Sequence, residues 1–292
     1  MIERSPTAVA TRPPRPIVAG LLLAAVFALA CRDSESKPVP AAGVPRRVVT
    51  LAPNLTEIVF ALGAGARLVG VSEYSDYPEA ARALPRVGGL EVDPEKVAAL
   101  RPDLVLAVAE GNAQSSVRAL EAAGLPVTVT PSGSLDAVLE SIRLVGDRLG
   151  LSEKGRKLAA ALAARRDAVR RNVAGRPRPR ALLLVWPDPP QAAGGETFLS
   201  DVLVEAGARN LVADRRGWPV LSKEWLATVP VELLVVPESA ETRDAWDKAF
   251  ASGPLSSGPV ARARRVVFDE AALTRPGPRV FDILENLAEA TR

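Results

Sequence analysis

Loop aromatics and a few charged side chains carry what chemistry this sequence can offer. Tyr74 sits in a polar loop beside Pro78, and Trp218 lies between Gly217 and Pro219. Aromatics on the loops of a rigid scaffold suit stacking on a ligand, the alternative being a packing role. Arg275 and Arg279 flank a Pro-Gly-Pro turn before the last apolar segment. They suit either ligand carboxylates and amides or the bridging of surface acids. Glu73 and Asp76 are a pair that acid–base work could use, but only a polar loop surrounds them. The chain has no histidine, so the usual general base and commonest metal ligand is missing. That removes Ser-His-Asp catalysis, His-ligated zinc and a histidine-ligated haem. The one cysteine is Cys31 and the one methionine is Met1, which leaves no internal disulfide and no thiolate metal cluster. No enzyme, resident cofactor or protein-held metal is expected.

Lys and Arg number 37 against 34 Asp and Glu, a net charge of +3, without the basic stripe a nucleic-acid partner requires. The densest cluster, Arg262, Arg264 and Arg265, runs straight into Val266-Val267-Phe268 and reads as a solvated strand entrance.

The N-terminus reads as an address. Arg4, Arg12 and Arg15 precede an apolar run from Ile17 to Ala30, too short to span a bilayer comfortably but suited to a secretory signal. Ala28-Leu29-Ala30-Cys31 resembles the bacterial lipobox, with the characters of Ala28 and Leu29 exchanged. It implies a signal peptide over 1–30 and a lipid anchor on Cys31. Residues 31–45 are polar and proline-rich and read as a tether; fourteen such residues reach roughly 45 Å when extended. Membrane contact is expected through the lipid alone.

The elements that must position the loop residues follow. From Arg46 the chain alternates apolar strand-like runs with helical segments, which predicts parallel sheets covered by helices. Asn54 and Glu57 stand in capping-box spacing at the first helix. Gly63-Ala64-Gly65 follows a helix and precedes a strand, so it reads as a helix end and turn rather than a phosphate loop. Ser152 to Val173 is one long helix with an apolar stripe of Leu151, Leu158, Leu162 and Val169, stopped by Gly175-Arg176-Pro177. The expected organisation is an α/β lobe over 46–150, a bridging helix over 151–175 and a second α/β lobe over 176–292. Trp225 and the Trp246/Phe250 pair read as core. An internal echo links the lobes. Asp93-Pro94-Glu95, a short helix, Pro102 and Leu104-Val105-Leu106 are matched by Ser222-Lys223-Glu224, a short helix, Pro230 and Leu233-Leu234-Val235. Each half carries a glutamate in a first helical turn, where it complements the helix dipole.

The run Val48-Val49-Thr50-Leu51-Ala52-Pro53-Asn54-Leu55-Thr56-Glu57 and the block Tyr74-Ser75-Asp76-Tyr77-Pro78 closely resemble periplasmic cobalamin-binding proteins. So do Pro102-Asp103-Leu104-Val105, Trp218-Pro219-Val220-Leu221-Ser222-Lys223-Glu224 and Arg275-Pro276-Gly277-Pro278-Arg279. These proteins belong to the helical-backbone class of ABC-importer binding proteins, which also serve ferric siderophores and haem. The resemblance implies two Rossmann-like lobes with parallel sheets, one bridging helix, and a ligand cleft between the lobes. It implies a monomer that delivers a small-molecule ligand, cobalamin or another metal chelate, to a permease dimer. Tyr74, Trp186, Trp218 and Asp269 then fall at ligand-binding positions, with Arg275 and Arg279 as further candidates. Glu95 and Glu224 match the glutamates that dock on the permease. Two aromatics of the family are absent, near Gly88-Gly89-Leu90 and at Val108, so a smaller corrinoid, a siderophore or haem are alternatives to cobalamin.

Overall fold

A computed structural model describes residues 43–292. The expected signal peptide, Cys31 and most of the expected tether lie outside the described residues.

The first lobe runs β1 (Val48–Thr50), α1 (Pro53–Ala61), β2 (Leu68–Val71), α2 (Pro94–Ala99), β3 (Leu104–Val108), α3 (Gln114–Ala122), β4 (Val127–Thr130) and α4 (Leu135–Arg148). Its four strands are all parallel, in the order β2-β1-β3-β4. β3 is buried along its whole length, as expected of a parallel strand covered on both faces. The bridging helix α5 (Ser152–Val173) follows, with the bounds its sequence predicts.

The second lobe runs β5 (Arg180–Pro187), β6 (Pro190–Ala192), α6 (Phe198–Glu205), β7 (Arg209–Asn210), α7 (Lys223–Thr228), β8 (Leu233–Glu238), α8 (Arg243–Ala251), α9 (Gly258–Arg262), β9 (Arg264–Asp269), α10 (Glu270–Thr274) and α11 (Val280–Ala290). Its sheet has the order β6-β5-β8-β9, with β7 paired to the start of β5. β6 alone is antiparallel, folding back on β5. The sequence reading has no strand at β6 or β7, which are too short to carry any alternation.

One apolar core runs through both lobes. It joins Leu55 and Ile142 of the first lobe, Leu162 and Val169 of α5, and Leu203 and Phe281 of the second. Leu151 and Leu158 of the expected stripe are only partly buried at its margin. Helices α4 and α5 meet at two glycines. A Cβ on Gly146 would lie 2.9 Å from the Gly155 Cα, so neither position has room for a side chain as the helices stand. Trp246 is buried and stacks on Phe250 with ring centroids 6.3 Å apart, and Trp225 packs at the edge of the same second-lobe core. Gly63 ends α1 at φ +75°, the left-handed position a helix end and turn requires.

Candidate functional site: the cleft between the lobes

The C-terminal ends of β1 and β3 open on a cavity of about 350 Å³ between the lobes. Ligands of parallel α/β folds characteristically bind beyond these strand ends. Leu51, Ala52 and Val108 supply apolar wall from the first lobe, and Phe198 and Pro276 from the second. Asn112 holds this end of the sheet together, donating to the Leu51 carbonyl at 2.9 Å while its Oδ1 accepts from the Val108 amide at 2.9 Å.

Tyr74 of the first lobe and Trp218 of the second both line this cavity. Tyr74 is 56% exposed and Trp218 44%, which leaves both rings free to stack on a ligand. Buried hydroxyls anchor the loop under Tyr74. Thr50 bonds Thr56 at 2.7 Å, Thr56 bonds Ser75 at 2.8 Å, and Ser75 bonds Ser72 at 2.8 Å. Arg86 adds donations to the carbonyls of Ser72 and Ser75. A Cβ on Gly89 would meet the Tyr74 ring at 3.0–3.4 Å. The Gly88-Gly89-Leu90 segment, where the resemblance implies another aromatic, is therefore a surface on which Tyr74 rests. The Trp218 loop is tied down by backbone bonds between Gly217 and the Gly194–Gly195 pair.

The remaining expected ligand residues divide. Arg275 lines the cavity, whereas Trp186, Asp269 and Arg279 do not. Trp186 lies outside the lining, half-exposed near the end of β5. It pairs in register with Gln191, whose side-chain amide donates to the Trp218 carbonyl at 3.1 Å. Asp269 caps α10, accepting from the Ala272 amide. Arg279 turns to the other lobe and grips Glu57 with two bonds, Nε to Oε2 at 2.9 Å and Nη2 to Oε1 at 2.6 Å. It also lies 4.1 Å over the Tyr77 ring.

Glu57 is thus no capping residue, and Asn54 is not one either. The N-cap of α1 is Ala52, with no side-chain bond. Asn54 donates instead to the Pro276 carbonyl at 3.3 Å. Glu57, 3% exposed in its side chain, is the centre of a cluster that joins the lobes, with Arg275 3.7 Å away and itself hydrogen-bonded to Asp76. Partial burial would raise the Asp76 carboxyl, but the hydrogen bond and charge of Arg275 outweigh it and hold the group below the usual carboxylate range. The acids that Arg275 and Arg279 hydrogen-bond therefore belong to the facing lobe, and one of them is buried, while Asp269 of their own lobe lies 3.9 Å from Arg279.

Glu95 and Glu224 are both exposed in the first turns of α2 and α7. Asp93 caps α2 through the amides of Glu95 and Lys96, and Ser222 caps α7 through the Trp225 amide. The Glu224 carboxylate sits below its ordinary range, held there by its own backbone amide and the Ser222 hydroxyl. Sequence reasoning passed over two cavity residues, Glu110 and Glu196, because isolated loop glutamates look like any solvated charge. Among the described residues no group of three acids, cysteines or histidines is placed to hold a metal ion, and no helix is long and apolar enough to cross a membrane.

Known proteins share this arrangement. The family described as "Periplasmic binding protein" matches residues 48–272. The chain is 29% identical over 277 residues to YvrC of Bacillus subtilis (strain 168), an uncharacterized ABC transporter substrate-binding lipoprotein, covering 91% of this chain and 86% of that one. It is 30% identical over 225 residues to the vitamin B12-binding protein of Yersinia pestis (strain Pestoides F), covering 76% of each. The solved periplasmic heme-binding protein RhuT of Roseiflexus sp. RS-1, in apo form, superposes with a TM-score of 0.75 at 29% identity, over 85% of this chain and 99% of that one. Two parallel-sheet lobes, a bridging helix and a match over most of the chain place this protein in the periplasmic binding protein family.

Proposed function

We propose that the chain is the capture component of an ABC importer and that its cargo is a corrinoid. The observation that carries this reading is the pair of exposed aromatics, Tyr74 and Trp218, one from each lobe, lining a single apolar cavity. Two such faces grip a flat macrocycle by stacking, each aromatic contributing on the order of 150–250 Å² of buried surface. A cavity of about 350 Å³ is at the small end of ligand sites, roughly 300–1,000 Å³. It would hold part of a macrocycle, with the remainder outside the cavity. The vitamin B12-binding relative favours the corrin, and the heme-binding neighbour makes haem the competing cargo. Titration of the purified chain with cobinamide, cobalamin, haemin and ferric chelates separates them. Tight binding of haemin or a ferric chelate with no corrin binding would overturn the cargo assignment.

Glu95 and Glu224 would dock on the permease, one acid from each lobe. The double variant Glu95→Arg/Glu224→Arg is expected to abolish uptake in cells while leaving ligand affinity within about twofold, since both side chains are exposed and away from the cavity lining. Undiminished uptake in that variant would remove the docking role. Cys31 would supply the lipid anchor, tested by mass spectrometry of the mature N-terminus.

A further inference from the structure

The cavity's charges are of the wrong sign for an anionic cargo. Three charged side chains line it: Glu110, Glu196 and Arg275. The one cation is already engaged, hydrogen-bonded to Asp76 and 3.7 Å from Glu57. The two acids stand one on each lobe. Glu110 accepts from the Ser132 amide at 2.9 Å and the Ser132 hydroxyl at 2.6 Å, both through Oε2, which leaves Oε1 for a ligand. Glu196 stands at φ +62°, a backbone conformation that residues with a Cβ adopt uncommonly. The turn that puts it there is crowded. A Cβ on Gly194 or Gly195 would fall 2.0 Å from the Arg215 carbonyl oxygen or 2.3 Å from that of Ala213. Thr197 then caps α6 immediately after. The Glu196 carboxylate touches Arg216 at 3.0 Å, but both side chains are well exposed, so solvent screens the pair and a ligand entering the cleft can compete for it.

We infer that Glu110 and Glu196 act as a charge filter, admitting a ligand whose rim carries hydrogen-bond donors and rejecting one whose rim carries carboxylates. This rests on the corrinoid reading and narrows it to a macrocycle with peripheral carboxamides. An amide N–H that reaches either glutamate makes a charge-assisted hydrogen bond. A carboxylate in the same place meets like charge instead of an acceptor it can satisfy, which is discrimination by repulsion. Haem propionates and polyanionic ferric chelates fall on the rejected side.

The test compares two ligands with one ring: cobinamide, and the same corrin with its peripheral amides hydrolysed to carboxylates. Affinities are read by calorimetry and by quenching of tryptophan fluorescence at neutral pH. The amide form is expected to bind about 100-fold more tightly, the scale of a like-charge clash. In the Glu110→Gln/Glu196→Gln variant the ratio should shrink to below about tenfold, chiefly because the acid form binds better. Equal binding of the two forms by the unaltered chain, or an unchanged ratio in the variant, overturns the filter and leaves the corrinoid reading standing. Binding of neither form overturns the corrinoid reading and the filter with it. The first comparison needs no substitution, so a poorly folding variant cannot rescue the idea.

Discussion

The lobes meet in two places, and the two junctions are built from different forces. Along α5 the junction is an apolar core, with Leu162 and Val169 buried against both lobes and arginines laid over it. Arg166 reaches Asp136 of the first lobe at 2.6 Å and approaches Glu205 of the second at 3.8 Å, and Arg170 bonds Glu205 as well. At the cleft the junction is polar: Glu57 gripped by Arg279, Arg275 shared with Asp76, and Asn54 on the Pro276 carbonyl. Apolar contact has no preferred direction and tolerates small slides, whereas a bidentate arginine–carboxylate pair has a single good geometry. The helix side keeps the lobes together, and the cleft side decides how far apart they stop.

That contrast can be broken by substitution. Glu57→Ala removes the buried acid from between two arginines: Arg279 loses its bidentate partner, while Arg275, 3.7 Å away, keeps its hydrogen bond to Asp76. A loss of about 3 kcal/mol is expected, the scale for breaking a buried pair from one side, read from urea unfolding. Glu205→Ala on the helix side should cost roughly 1 kcal/mol, because its hydrogen-bonded partner Arg170 is half-exposed and the buried Arg166, 3.8 Å from it, keeps its bond to Asp136. Equal losses would erase the distinction. Between them comes Gly155→Leu. Its Cβ alone would stand 3.1 Å from the Ile142 carbonyl and 3.2 Å from the Gly146 Cα, so about 2 kcal/mol of overpacking is expected, seen as a lowered Tm.

The smallest effect, and the one that sharpens the comparison most, is in pH. Asp201, on α6, accepts the Leu135 amide at the start of α4 at 3.2 Å and so ties the lobes on the helix side. Burial raises its carboxyl above the ordinary range, only partly offset by that bond. Asp76 on the cleft side is held below the range. A raised carboxyl binds its proton earlier in the folded chain, so acidification through the window above the unfolded value of 3.8 should add stability. A depressed carboxyl contributes stability above its unfolded value, lost as pH falls through the window below it. Asp201→Asn should abolish the first slope and Asp76→Asn the second, each under about 1 kcal/mol given their exposure. Denaturant melts from pH 7 to pH 2 would resolve the two, and slopes of the same sign would refute the assignment.

The sequence reveals the framework better than the junctions. Helix α5 is legible to the residue because its alanine- and arginine-rich run ends at glycine and proline, and β3 because five apolar residues stand between Pro102-Asp103 and a polar loop. Tyr74 and Trp218 are legible as exposed aromatics between turn residues. Glu57 misleads: three residues after Asn54 it has the spacing of a local cap, yet its partner lies 222 residues away. Local spacing cannot report a contact made only when two lobes fold against each other. Glu110 and Glu196 are hidden for the same reason, since only the assembled cleft sets them around one cavity.

The repeated helix starts at α2 and α7 have a consequence for assembly. If Glu95 and Glu224 dock as proposed, a partner made of two equal halves would offer each acid the same socket, so the protein could land either way round. Two equivalent landings double the chance of a productive encounter, a gain of about 0.4 kcal/mol in binding free energy. The cargo, lying between the lobes, would be handed over near the partner's axis from either pose.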